Sequence, residues 1–200
     1  VRLSLANIKA VKYACLNFHY QKKVPALVNI AHNIYNDSDE WCGCIVYNRA
    51  IGKHIASSMS YTLELIRVAL NGKQEFTSKA ISMSINKLKK EHPEIHLLIS
   101  YADSEQGHYG TIYQATNWYY INSYKTDDKY IDDNGVVYHR RTISKSGFVK
   151  HFGQYVKCRK FSDLQRIPQG KKHLYYYPLT KEMKQICEQI KKPYPKKTTS

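Results

Sequence analysis

The residues best suited to chemistry lie between Ser100 and Trp118. The apolar run Ile95–Tyr101 (IHLLISY) predicts a buried strand, and Ala102–Tyr109 (ADSEQGHY) predicts a polar loop at its end. Ligands gather at such strand ends in layered α/β folds. The loop offers Asp103 and His108 as an acid–base pair, with Ser100, Tyr101, Ser104, Glu105, Gln106 and Tyr109 beside them. Gly107 and Gly110 allow sharp turns or a close approach of backbone to a ligand. The same residues also suit a plain surface loop, in which Asp and Ser cap a short helix over Thr111–Thr116.

Two further groups could bind anions. Ser78 is suited to cap a helix over Lys79–Lys90, whose Ala80, Ile81, Ile85 and Leu88 recur at helical spacing. The helix start offers free N–H groups and positive potential, with Thr77, Ser78 and Lys79 beside it, which makes a site for a phosphate, although every capped helix has such an end. The other group is basic and aromatic: Val137–Thr142 (VYHRRT), Lys150-His151-Phe152 and Lys171–Tyr177 (KKHLYYY). There His139, Arg140, Arg141 and Lys172 can hold phosphates while rings stack on bases. The alternative is a sheet edge protected by lysines. The nine histidines follow no metal-ligand spacing, so no metal site is predicted.

These groups need a scaffold. Strands are predicted at Ala14–Tyr20, Trp41–Tyr47, Thr62–Leu70, Ile95–Tyr101, Trp118–Tyr124, Val136–Arg141 and Lys171–Tyr177. Pro25–Ile30 reads as extended, Asn48–Lys53 as a loop and Ser146–Tyr155 as a basic helix. Asp132-Asp133-Asn134-Gly135 marks a hairpin-like turn. Strand, helix, strand, helix, strand between Thr62 and Tyr124 predicts an α+β (α/β layered) domain. One domain is expected over residues 1–190, followed by a mobile basic Pro/Lys tail over 191–200.

Composition narrows the partner. The 200 residues hold 31 Lys and Arg against 16 Asp and Glu, a formal charge of +15, which implies an anionic partner. Eighteen tyrosines suit both sheet positions and the stacking of unpaired bases, and together these favour nucleic acid. Five cysteines fit neither a disulfide framework nor a zinc site, so buried free thiols in a reducing compartment are expected. Cys42 and Cys44 are predicted on one face of a strand. No signal peptide and no membrane-spanning apolar run is evident, so no membrane partner is expected.

The strings ELIRVAL (Glu64–Leu70), Ser78–Lys90, SYAD (Ser100–Asp103), Gln106-Gly107-His108, Gly110–Ala115 (GTIYQA) and Trp118 resemble the phage Mom-type DNA modification proteins. His139–Thr142 and Lys172–Pro178 are similar to later basic segments of that family, and the likeness covers about two thirds of the chain in order. The resemblance implies a Gcn5-related N-acetyltransferase-like mixed sheet flanked by helices. It implies a transferase that converts adenine in double-stranded DNA to N6-carbamoylmethyladenine, protecting phage DNA from restriction in the cytoplasm of the bacterial host. It also implies roles: Asp103 as proton acceptor, His108 second to it, Arg67 and Ser100 orienting substrate or meeting developing negative charge, and Tyr113 protonating a leaving group. Tyr101, Tyr109, Tyr113 or Trp118 would wall the base pocket, though Trp118 and Ala115 also suit simple packing. Residues 71–78 (NGKQEFTS) replace the fold's usual Gln/Arg-x-x-Gly-x-Gly/Ala loop, leaving the donor open between acyl-CoA and a glycyl carrier. An acyltransferase-like enzyme with a protein or small-molecule amine acceptor, or a nonenzymatic nucleic-acid-binding protein, are the alternatives.

Overall fold

Asn7 starts the first helix. Its side-chain oxygen accepts from the Ala10 N–H at 2.9 Å, and Val11, Ala14 and Cys15 are buried on one helical face. Helix α1 thus spans Ile8–Asn17, correcting the strand predicted over Ala14–Tyr20. The computed structural model describes residues 1–50 and 61–196; positions 51–53 of the predicted loop lie outside the described residues.

The remaining helices are α2 (Thr77–Glu91), α3 (Thr111–Gln114) and α4 (Lys181–Ile190). The strands are β1 (Arg2–Leu5), β2 (Ile30–Tyr35), β3 (Trp41–Arg49), β4 (Thr62–Leu70), β5 (Leu97–Asp103), β6 (Tyr119–Lys125), β7 (Lys129–Ile131), β8 (Val137–His139), β9 (Ile143–Ser144), β10 (Phe148–His151), β11 (Gln154–Lys157), β12 (Arg159–Lys160), β13 (Gln165–Ile167) and β14 (Lys171–Pro178). Seven of them form a mixed sheet in the order β1–β2–β3–β4–β5–β14–β6, so the expected mixed sheet with flanking helices is what forms. The single domain expected over 1–190 is built as two compact units. The first takes Val1–Ala102, Tyr109–Asn122 and the chain from His173 onward; the second takes Asp103–His108 and Ser123–Lys172.

In the first unit, Ile81, Ile85 and Leu88 of α2 pack with Ile45, Tyr47, Leu65 and Leu98, while Val11, Ala14 and Cys15 of α1 pack with Cys44, Val46 and Ala69. Met183 and Cys187 of α4 cover Leu97, Ile99, Leu174 and Tyr176. Helix α4 has no counterpart in the sequence reading, although Thr180 caps it by accepting from the Met183 N–H at 3.2 Å. Cys42 and Cys44 do not share a face. In the β2–β3 ladder Ile34 pairs with Gly43 and Tyr35 with Trp41, leaving Cys42 as an extra residue. That bulge reverses the alternation and sends Cys42 to the α2 side and Cys44 to the α1 side. All five thiols are free, and four are buried.

The second unit is built from small sheets: β13–β7–β8, β9 with β12, and the hairpin β10–β11. The hairpin replaces the helix predicted over Ser146–Tyr155; Gly147 and Gly153 take positive φ, and Phe148, Val149, Tyr155 and Val156 favour strands. The predicted turn at Asp132–Gly135 forms, with the Gly135 N–H donating to the Asp132 carbonyl. Near the carboxyl end, the segment expected as a tail is hydrogen-bonded at Lys192 and Tyr194, and its positions 197–200 lie outside the described residues. The Lys192 N–H donates to the Tyr120 carbonyl at 2.8 Å and the Tyr194 hydroxyl to the Trp118 carbonyl at 2.8 Å. Among the described residues no helix is long and apolar enough to cross a membrane.

Among the described residues, the core carries an acid-sensitive group at His32. His32 is fully buried on β2, its Nδ1 2.8 Å from the Ser84 hydroxyl, which in turn meets the Tyr47 hydroxyl at 2.8 Å. Burial, helped by the charge of Lys87, pushes the imidazole down from 6.5 to about 4. Between those values the unfolded chain binds the proton and the folded chain does not, so stability falls as pH drops from 6.5 toward 4 and levels off below. Urea unfolding is expected to show about 2 kcal/mol less stability at pH 5 than at pH 7 from this group. A flat profile over that window would reject the assignment.

Candidate active site

The parallel ladder between β4 and β5 pairs Thr62 with Leu97, Leu63 with Leu98 and Glu64 with Ile99, and ends there. At the next position the Ser100 side chain takes over: its hydroxyl donates to the Leu65 carbonyl at 2.8 Å. A serine hydroxyl has one proton, so the Tyr113 hydroxyl, 2.7 Å away, donates to Ser100. Ser100 is 1% exposed, with both contacts inside the protein. Tyr113 lies on α3, its ring packed between Trp118 and Tyr175 at centroid distances of 5.1 and 5.2 Å. Burial pushes its hydroxyl up to about 12, so it is protonated at neutral pH. Gly110 sets the start of α3 at φ +80°, and a Cβ there would lie 2.3 Å from the Tyr175 ring. The Tyr175 hydroxyl donates to the Tyr109 carbonyl, and Gln114 donates to both. Tyr175 and Gln114 were not singled out from sequence; the alternating Tyr175-Tyr176-Tyr177 run gave no sign of which ring faces α3.

Arg67 is placed by a second bulge. Val46 pairs with Arg67 and Tyr47 with Leu65, so Ile66 is left over. Arg67 Nη1 donates to the Ile66 carbonyl at 2.7 Å, and its buried Nε has no partner among the described residues. Its charge opposes the burial that raises the Cys15 thiol. Trp118 is fully buried, which removes it from any base-binding wall and fits the packing reading, whereas Ala115 is exposed and does not pack in the core. Tyr101 and Tyr109 are half-buried, Tyr109 against the His173 ring at 5.6 Å.

Asp103 closes β5. Three residues apart on a strand, Ser100 and Asp103 project to opposite faces. The Asp103 carboxylate accepts from the Glu105 N–H at 3.1 Å, capping a 3₁₀ turn over Ser104–Gln106, and the His108 N–H donates to the Asp103 carbonyl at 3.1 Å. Gly107 ends the turn at φ +66°. The Ser104 hydroxyl accepts from the Lys171 N–H at 2.8 Å, which pins this loop within its unit. His108 is exposed.

Helix α2 begins at Thr77, not Lys79, with Phe76 at the cap and no side chain capping it; Ser78 sits inside the first turn. The first intrahelical bond is from the Ala80 N–H to the Phe76 carbonyl. The N–H groups of Thr77, Ser78 and Lys79 therefore have no intrahelical partner and point along the positive end of the helix. The Lys79 ammonium is paired with Glu75, and Gln74 Oε1 is buried with no partner among the described residues. This end offers three N–H donors to one anionic group, phosphate or carboxylate.

In the second unit, His139 Nδ1 accepts from the Arg141 N–H at 3.2 Å and the Arg140 guanidinium lies 5.3 Å from the Phe161 ring centre. Arg141 is exposed and Lys172 half-buried.

The profile of the Mom protein family matches residues 2–196. Among solved structures, the chain is similar to an acetyltransferase from Bacillus subtilis in complex with CoA, at 14% identity over 90% of this chain and 99% of that one, with a TM-score of 0.50. It is also similar to a candidate phosphinothricin N-acetyltransferase, at 7% identity over 90% of this chain and 99% of that one, with a TM-score of 0.52. At these identities the likeness concerns the fold, which is that of the Gcn5-related N-acetyltransferases. No curated protein matches the chain.

Proposed function

The chain belongs to the Mom protein family, and from that premise we propose that it modifies adenine in double-stranded DNA to N6-carbamoylmethyladenine. The observation that carries this reading is the family match across residues 2–196. The acetyltransferase-like fold and the formal charge of +15 support a transferase with a polyanionic substrate.

The target adenine must leave the base stack before its amine can react. Its lone pair is delocalised into the ring, so the reaction needs a proton acceptor and a polarised carbonyl. Asp103 takes the proton from the amine, with His108 second to it. Arg67 supplies donors toward developing negative charge, and Tyr113 protonates the leaving group. Ser100 acts through Tyr113, since both its hydrogen-bonding contacts are internal. A phosphate or carboxylate of the donor rests on the N–H groups of Thr77, Ser78 and Lys79. Tyr101, Tyr109, His139, Arg140, Arg141 and Lys172 contact the DNA.

The product constrains the chemistry. A glycyl group transferred to the adenine amine has the same atoms as a carbamoylmethyl group. Attack of the glycyl amine on C6 forms the new C6–N bond and breaks the original one. The released nitrogen takes the proton and becomes the terminal amide. Mass spectrometry of nucleosides from the DNA of cells expressing the protein is expected to show a deoxyadenosine heavier by one glycine residue, labelled when the cells receive isotopic glycine. Hydrolysis is expected to release ammonia, not glycine. An absence of adduct rejects the reading; an unlabelled adduct rejects only the glycyl donor.

A further inference from the structure

Among the described residues, none covers either face of the hairpin β10–β11. Of residues 148–157 only Val149 is less than exposed, and three aromatic rings stand in solvent: Phe148 at 50%, Tyr155 at 75% and Phe152 at 96%. The register pairs Phe148 with Lys157 and Lys150 with Tyr155. Directly opposed residues share a face, so one side of the ribbon carries two aromatic rings interleaved with two lysines. The tip is the two-residue loop Phe152-Gly153, with φ of +47° and +85°. Both central residues at positive φ define the tight turn that favours Asn-Gly, where a bulky side chain is strained. Phe152 therefore combines an unfavourable backbone with an almost fully exposed ring, which among the described residues neighbours the ring of His151 alone, at 4.5 Å. Neither feature helps the fold, which points to a role outside it. The surrounding charge is one-sided: residues 134–162 hold seven Lys and Arg and no Asp or Glu.

We propose that this hairpin is a ribbon that enters a groove of duplex DNA, with Phe152 as a wedge between adjacent base pairs and Lys150 and Lys157 on the flanking phosphates. A two-stranded ribbon fits the major groove, and apolar side chains inserted between base steps unstack them. This rests on the reading that duplex DNA is the substrate, and adds how the duplex is opened.

The test uses the full chain with duplexes carrying 2-aminopurine, whose fluorescence rises when it unstacks, and binding followed by anisotropy across a salt series. Wild-type protein is expected to raise the fluorescence. Phe152→Asn suits the turn and so keeps the hairpin; it is expected to bind duplex but lose most of the rise, and Phe152→Trp to restore it. Lys150→Ala with Lys157→Ala is expected to lower the slope of log affinity against log salt by about 1.8. An unchanged rise in Phe152→Asn, or no rise with the wild type bound, overturns the wedge. An unchanged salt slope overturns the ribbon's place in the groove. If the wild type fails to bind duplex even at low salt, the DNA reading itself falls and the hairpin proposal with it. Binding without any hairpin dependence leaves that reading standing and removes only this one.

Discussion

Asp103→Asn is expected to lower adenine modification by about two to four orders of magnitude, the usual worth of a positioned proton acceptor, while leaving the melting temperature unchanged. The substitution separates chemistry from structure. Asp103 has a structural duty, since its carboxylate caps the turn over Ser104–Gln106 by accepting from the Glu105 N–H at 3.1 Å. Asn offers the same acceptor oxygen in the same place and is as good a cap. What it lacks is the capacity to take a proton. Asp103→Ala is the poorer test, because losing the cap costs about 1 kcal/mol and confuses the readout. His108→Gln is expected to have a smaller effect. Adduct counts from DNA of cells expressing each variant, beside thermal melts of the purified proteins, provide the check. Near wild-type modification by Asp103→Asn would falsify its assigned role.

The parts of the fold that were legible are those where one periodicity ruled. The runs Thr62–Leu70, Ile95–Tyr101 and Lys171–Tyr177 are apolar and β-branched or aromatic, and each forms a strand. The resemblance read over two thirds of the chain extends, as a family match, across residues 2–196. The failures have local causes. Ala14 and Cys15 suit a strand by residue type, and the signal for a helix is the Asn7 cap two turns upstream. Ser146–Tyr155 suits a basic helix only as long as Gly147 and Gly153 are not counted as turn residues. The extra residue at Cys42 cannot be seen in a sequence at all, since a bulge depends on what the partner strand offers. The site behaved similarly. Residue types drew attention to Ser100 and Tyr113, but their relation depends on where the β4–β5 ladder stops, and that is set by packing across the sheet.

Tyr113→Phe gives the sharpest test of that relation. The variant keeps the ring between Trp118 and Tyr175 and leaves Ser100 still donating to the Leu65 carbonyl. Its stability cost is one hydrogen bond, about 1 kcal/mol. If Tyr113 protonates the leaving group, modification falls about a hundredfold or more. Because burial holds the hydroxyl up near 12, the wild-type rate is expected to show no alkaline loss from this residue through pH 10. Ser100→Ala reverses the balance. It strips the buried Leu65 carbonyl of its donor, at about 1–3 kcal/mol, and frees Tyr113 to rotate without removing its proton. A positioning residue should therefore cost more stability and less rate than Tyr113→Phe. If Tyr113→Phe modifies adenine like the wild type while Ser100→Ala is destabilised, the pair serves only to close the strand parting, and the proton for the leaving group comes from another residue.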